Sequence, residues 1–443
     1  MDMTEGVIWK QLLLFSLPLL AGNLFQQFYN TVDSVVVGNF VGPEALASVT
    51  SNMPAMNTLI GMFIGFATGA SVLISQYFGA KNDLLLRRSI HTAVLATLFL
   101  SFVMAGLGVF LAPHLVRFMR TPPTVADGAV TYLRIYFAGV SGLMLYNMGS
   151  AVLRAVGDSK RPLIFLIICS LVNVALDLLF VVRFRMGVAG VAYATVIAQF
   201  ISTIATFFVL FRSTEVYGMT LRELSIDPAI LKRITLLGLP AGLQMAVTSF
   251  SNVFVQSYIN SFGAASTAGW GAYLRIDAFT VLPVMSIGLA VTTFVGQNAG
   301  ARNYDRIRQC LRTGMIISVS ITAVLAATLF TLAPHVIALF NRDPGVLYFG
   351  TLFLRMIGPL DFLVCTNQIY SGMLRGIGDT RAPMVIMLFS FVVFRQIYLF
   401  TASHITSSIY PVALGYPVGW LVCNILLVAY TRRCGWEERL KNG

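Results

Sequence analysis

Leu153-Arg-Ala-Val-Gly-Asp158 returns 221 positions later as Leu374-Arg-Gly-Ile-Gly-Asp379, and Pro162 returns as Pro383. The same offset carries Leu111-Ala-Pro-His114 onto Leu332-Ala-Pro-His335, and Leu133-Arg134 onto Leu354-Arg355. It also carries Gln76-Tyr-Phe-Gly-Ala80 onto Gln297-Asn-Ala-Gly-Ala301, while Leu17-Pro18 meets Leu239-Pro240 with a slip of one residue. One shared tetrapeptide can arise by chance. Five matches at one spacing mark a duplication that runs the length of the chain.

The segments between these motifs are apolar. Of 443 residues 57% are hydrophobic and 11% charged, with a mean hydropathy of +0.80. A soluble domain carries about 25% charged residues. Polar breaks leave twelve apolar segments, near 12–37, 46–77, 89–111, 128–150, 162–182, 187–211, 234–260, 267–298, 311–332, 346–372, 383–402 and 408–431. Most are long enough to cross a hydrocarbon layer about 30 Å thick, and in lipid each must be helical to satisfy its own backbone. The expected fold is therefore an all-α polytopic membrane protein with 12 transmembrane helices in two parallel six-helix repeats. The expected divisions are an N-terminal lobe at 1–211, a linker at 212–233, a C-terminal lobe at 234–431 and a tail at 432–443.

This composition excludes a soluble enzyme and a secreted disulfide scaffold. Cys169, Cys310, Cys365, Cys423 and Cys434 are scattered and show no metal spacing. The net charge of +12 is not a nucleic-acid signature, because its placement follows the membrane. Termini and loops after even-numbered spans hold 21 Lys and Arg, against five (Arg117, Arg120, Arg183, Arg185, Arg342) in loops after odd-numbered spans. That bias places both termini in the cytoplasm and the protein in the cell membrane. Lys10 precedes the first span without a small-residue cleavage pattern, so that span is expected to be retained. No phosphate-binding loop occurs, so direct ATP drive is not expected. No His/Asp, His/Glu or Ser/His cluster inside the spans suggests an enzyme.

Ionisable residues inside spans cost roughly 2.5–3.5 kcal/mol each at a helix centre, so each calls for a reason. Asp33, Asp177, Arg275, Asp277, Asp361 and Arg395 lie deepest. Counting about 1.5 Å per residue from span ends places Asp33, Asp177, Asn173, Thr195 and Tyr136 at similar depth in the first half. Asn173 precedes Asp177 by four residues and shares its helix face. Asn23, Gln26, Asn30 and Asp33 also form a polar stripe along the first span. Two carboxylates, an amide and two hydroxyls suit a hard cation such as Na⁺, and two carboxylates away from water equally suit a shared proton. In the second half Phe254 and Tyr398 occupy the places of Asp33 and Asp177. Asp361 and Arg395 fall near the midplane and are expected to pair, with Arg275 or Asp277 joining. Deep charges then sum to zero in the second half and to −2 in the first, which points to the first half for ion coupling.

The twelve-span duplication, Pro18 and Pro240, Gly79-Ala80 and Gly300-Ala301, and the paired Leu-Arg-x-x-Gly-Asp motifs together resemble the multidrug and toxin extrusion (MATE) family. The resemblance is closer to its DinF-like than its NorM-like branch, because span seven has Gln244, Thr248, Ser249 and Asn252 but no carboxylate. It implies a V-shaped pair of six-helix lobes around a cavity, exchanging Na⁺ or H⁺ for amphipathic, often cationic drugs. It also implies that Asp33, Asn173, Asp177 and Thr195, with Tyr136, form the coupling site (the Na⁺ ligands if the ion is Na⁺), and that Pro18 is a hinge. Phe28, Met53, Met56, Phe63, Phe279 and Met285 are candidates for the cavity wall. No cofactor beyond the coupling ion is expected, and the chain is expected to act as a monomer. The alternative is a flippase of the same superfamily for lipid-linked precursors, with Arg275 and Arg395 as the cationic cavity residues.

Overall fold

The computed structural model of the chain describes residues 1–50, 52–119 and 121–442, without the side chains of 53–55, 57–59, 250 and 442. Arg120 and the side chain of Met53 lie outside the described residues. Every regular element described is helical, as a lipid environment demands of a chain that is not a closed barrel. The first half contains α1 (Ile8–Phe40), α2 (Pro43–Thr50), α3 (Met53–Gly79), α4 (Asp83–Phe118), α5 (Pro123–Ala138), α6 (Val140–Ala155), α7 (Lys160–Asp177) and α8 (Gly187–Arg212). The second contains α9 (Pro228–Asn260), α10 (Ala264–Gly300), α11 (Tyr304–Ala338), α12 (Pro344–Ile357), α13 (Phe362–Gly376), α14 (Arg381–Leu388), α15 (Arg395–Ile405), α16 (Ile409–Ala413) and α17 (Gly415–Arg433). A short α18 (Trp436–Asn442) follows.

Among the described residues nine helices are long and apolar enough to cross a membrane, and eleven if two bent pairs each count as one span. The pairs are α5 with α6 and the α12 segment with α13, each bent by 48°. The second bend falls at Asp361, directly after the tightened turn Gly358-Pro359-Leu360, where Pro359 supplies no N–H to the ladder. The twelfth apolar segment is also helical, broken into α16 and α17 at Leu414.

The duplicated motifs prove to be helix punctuation. In Leu153–Asp158, Gly157 adopts φ 84°, and the Asp158 N–H returns to the Leu153 carbonyl at 2.8 Å. The Asp158 carboxylate then accepts from the N–H groups of Lys160 and Arg161, both at 3.1 Å, and so opens α7. The second copy repeats this at Gly378 (φ 93°), Asp379 N–H to Leu374 (2.9 Å) and the Ala382 N–H to Asp379 (3.1 Å). Glycine is favoured because the left-handed conformation costs other residues about 1–2 kcal/mol. Lys81 and Arg302, also 221 apart, share left-handed φ values of 53° and 58° after the Gly-Ala pairs.

The chain divides into two compact units: Met1 with Pro18–Gly242, and Asp2–Leu17 with Leu243–Gly443. Both crossings occur inside a long helix and beside its proline, Pro18 in α1 and Pro240 in α9. Within the first unit α9 lies against α3 backbone to backbone. A Cβ on Gly65 would fall 2.2 Å from the Gly242 nitrogen, and one on Gly69 would fall 2.5 Å from the Gly238 nitrogen. Glycines four apart on both helices make this close approach possible. Within the second unit Met3 is fully buried. Its main chain is held by Gln297 and Asn298 of the duplicated Gln-Asn-Ala-Gly-Ala motif, at 2.9 and 3.0 Å, and by Arg306 at 3.1 Å.

Candidate functional site

In the first unit the Asp33 carboxyl on α1 faces the Asp177 carboxyl at the end of α7. Asp177 is fully buried and Asn173, one turn earlier, is 1% exposed. The six residues after Asp177, Leu178–Arg183, form a π-helix. Such widened turns in α-helices occur frequently at functional sites. Asp33 Oδ1, both oxygens of Asp177, both polar atoms of Asn173 and Oε1 of Gln199 are buried without a hydrogen-bond partner among the described residues. Buried polar groups in native proteins are paired in roughly nine cases of ten, so this concentration calls for a ligand. Its oxygen-rich chemistry fits a hard cation or a shared proton.

Tyr136 is buried on α5, and the Gln199 side chain reaches its hydroxyl. Tyr132 stacks on Tyr136 with ring centroids 6.1 Å apart and lies close to both aspartates. Tyr29 is close to Asp33 and Tyr136. Thr195 is 8% exposed on α8, and its hydroxyl donates to the Val191 carbonyl at 3.0 Å, leaving its oxygen as an acceptor. Tyr29, Tyr132 and Gln199 are absent from the sequence reading. Each lies four residues from a residue that reading does name: Asp33, Tyr136 and Thr195. Spacing on one helix face was the available signal.

The second unit departs from expectation. No ion pair joins Arg395 to Asp361 among the described residues. Arg395 is 2% exposed and follows a second π-helix, Phe389–Phe394, whose Phe391 carbonyl accepts from its Nε at 3.1 Å. It also donates to Ser251 Oγ at 2.8 Å and Asn252 Oδ1 at 2.9 Å, and lies 4.7 Å from the centre of the Tyr416 ring. These neutral acceptors on α9 and the π-helix take three of the five N–H donors and hold the guanidinium away from Asp361. Asp361 instead faces Asp277, which the Tyr273 hydroxyl also reaches. Arg275 is exposed and joins neither group. Phe254 and Tyr398 do replace the aspartates of the first half, and the Tyr398 hydroxyl bonds the Pro411 carbonyl at 3.0 Å. Of the proposed wall residues, Met56 and Phe63 are buried in the first unit's core, whereas Phe28, Phe279 and Met285 are exposed.

Comparison with known proteins agrees with this duplicated architecture. The MatE family model matches the chain twice, over residues 18–179 and 240–401. The probable multidrug resistance protein YoeA of Bacillus subtilis is 33% identical over 436 residues, covering 96% of this chain and 93% of that protein. YpnP of the same organism, also described as a probable multidrug resistance protein, is 34% identical over 401 residues, covering 90% and 89%. The solved outward-facing conformation of a multidrug resistance MATE family transporter superposes with a TM-score of 0.91 at 25% identity, over 99% of this chain and 98% of that one. With one family model fitting each half and relatives aligned almost end to end, the chain belongs to the MatE family of membrane transporters, which are not enzymes.

Proposed function

We propose that this transporter exports amphipathic, often cationic drugs across the cell membrane in exchange for Na⁺ or H⁺. The observation that carries the proposal is the facing Asp33–Asp177 pair, half-buried at Asp33 and fully buried at Asp177, with its unpartnered oxygens and the adjoining Asn173 and Gln199 groups. Two carboxylates sharing a site away from water need a cation or a proton between them, so occupancy changes the local charge and the packing of α1 against α7. Pro18 leaves α1 without one backbone hydrogen bond fifteen residues before Asp33 and allows that helix to bend as the pair fills and empties. Drug binding is favoured in the conformation from which the cation has left. A cation entering down a potential of 100 mV supplies about 2.3 kcal/mol, roughly a fortyfold substrate gradient. The relatives described as multidrug resistance proteins support the substrate class. Both termini lie in the cytoplasm in this reading, and a single chain acts without ATP.

Arg395 does not favour the flippase alternative, because three of its N–H donors are engaged within the unit by Ser251, Asn252 and Phe391. The test is export of a fluorescent cationic dye by the purified chain in vesicles, with Na⁺ and H⁺ gradients imposed separately. Transport driven by one gradient supports antiport and assigns its ion. Absence of dye movement under both refutes it.

A further inference from the structure

A groove of about 780 Å³ runs along the surface of the first unit between α4 and α5, lined by Gly106, Val109, Phe110, Pro113, His114 and Arg134, with Ala105. Its floor is apolar from Gly106 to Pro113, a length of about 11 Å, and Arg134 and His114 add two nitrogen-bearing side chains to its lining. Arg134 is exposed and has no hydrogen bond, ion pair or ring contact among the described residues. It lies eleven residues into α5 and six into the expected span, about 9 Å below that span's end. A cation at such a depth needs an anion or water close by.

The duplication offers an internal comparison for Arg134. Arg355 is the second-half counterpart of Arg134, and Phe330 is the counterpart of Val109. Arg355 donates to the Phe330 carbonyl at 3.2 Å and lies 5.5 Å from the centre of its ring. In the second half, therefore, the carbonyl and ring of Phe330 engage the arginine, whereas Val109 offers no ring to Arg134.

We propose that this groove binds an anionic phospholipid, with an acyl chain along Gly106–Pro113 and the headgroup phosphate held by Arg134 beside His114. An apolar trough of acyl-chain dimensions lined by an unpaired guanidinium is complementary to such a lipid and to no drug cation. The site is separate from the Asp33–Asp177 pair, and the inference does not depend on the ion coupled.

The test is native mass spectrometry of the full chain, equilibrated with phosphatidylglycerol and phosphatidylcholine of matched acyl chains. Wild type is expected to retain phosphatidylglycerol about fivefold in preference. R134Q, a change at an exposed position that leaves packing intact, is expected to lower the ratio to near one, and R355Q to leave it unchanged. V109F, which supplies the ring of the second half, is expected to reduce retention of both lipids. Equal retention of the two lipids by wild type would overturn the proposal, as would an undiminished preference in R134Q. Displacement of phosphatidylglycerol by millimolar inorganic phosphate would assign the site to a free anion and overturn it equally.

Discussion

Replacing Asp177 by Asn removes one of two facing carboxylates while keeping the side chain's shape. A unit charge at about 4 Å, at an effective dielectric of about 20, contributes about 4 kcal/mol to holding a monovalent cation. That corresponds to roughly a thousandfold in affinity. A cation present at a hundred times its wild-type dissociation constant stabilises the folded protein by about 2.7 kcal/mol, and after a thousandfold loss by almost nothing. The assay is the thermal midpoint of the purified protein, measured with Na⁺ against choline at fixed ionic strength, and again across a range of pH. Wild type should gain stability from one of these cations, and Asp177→Asn should lose that gain. The lost oxygen is fully buried and has no other partner, so the substitution disturbs no existing hydrogen bond. A variant whose midpoint responds to Na⁺ and to pH as wild type does would refute the argument.

Three further outcomes follow from the packing. Gly65→Ala should destabilise the first unit by about 3 kcal/mol, read as a lowered midpoint, because its Cβ meets the α9 backbone at 2.2 Å. An unchanged midpoint would show that α3 and α9 do not approach as described. Arg395→Met should cost about 3 kcal/mol and Arg395→Lys nearly as much, since the forked bonds to Ser251, Asn252 and Phe391 need a guanidinium. Full rescue by lysine would contradict that geometry. Gly378→Ala should lower the midpoint through a left-handed penalty of about 1 kcal/mol, whereas the same change at Gly271, which meets open space, should not.

The architecture was legible in sequence because lipid leaves few choices. An apolar run of span length must be helical, and motifs recurring at a constant offset must occupy equivalent places. The Leu-Arg-x-x-Gly-Asp copies therefore fall at equivalent helix ends. Depth along each span also brought Asp33 and Asp177 to one level. Depth fixes only the axial coordinate, however. It placed Arg395 and Asp361 near the same plane, but not which side of each helix they occupy. Arg395 consequently found Ser251 and Tyr416, while Asp361 found Asp277. Neither π-helix has a sequence signature, although each lies next to a deep charged residue, Asp177 or Arg395. The Gly65-x-x-x-Gly69 and Gly238-x-x-x-Gly242 spacings were visible. Their meaning appears only once α3 and α9 are seen to cross.

The central claim is that Asp33 with Asp177 couples ion entry to drug exit. It is tested most directly by gradient-driven dye export in vesicles containing wild type or Asp33→Asn at matched protein content. The account predicts export by wild type under one imposed cation gradient, and none by Asp33→Asn under either. Export by Asp33→Asn at the wild-type rate, under the same gradient, would contradict it.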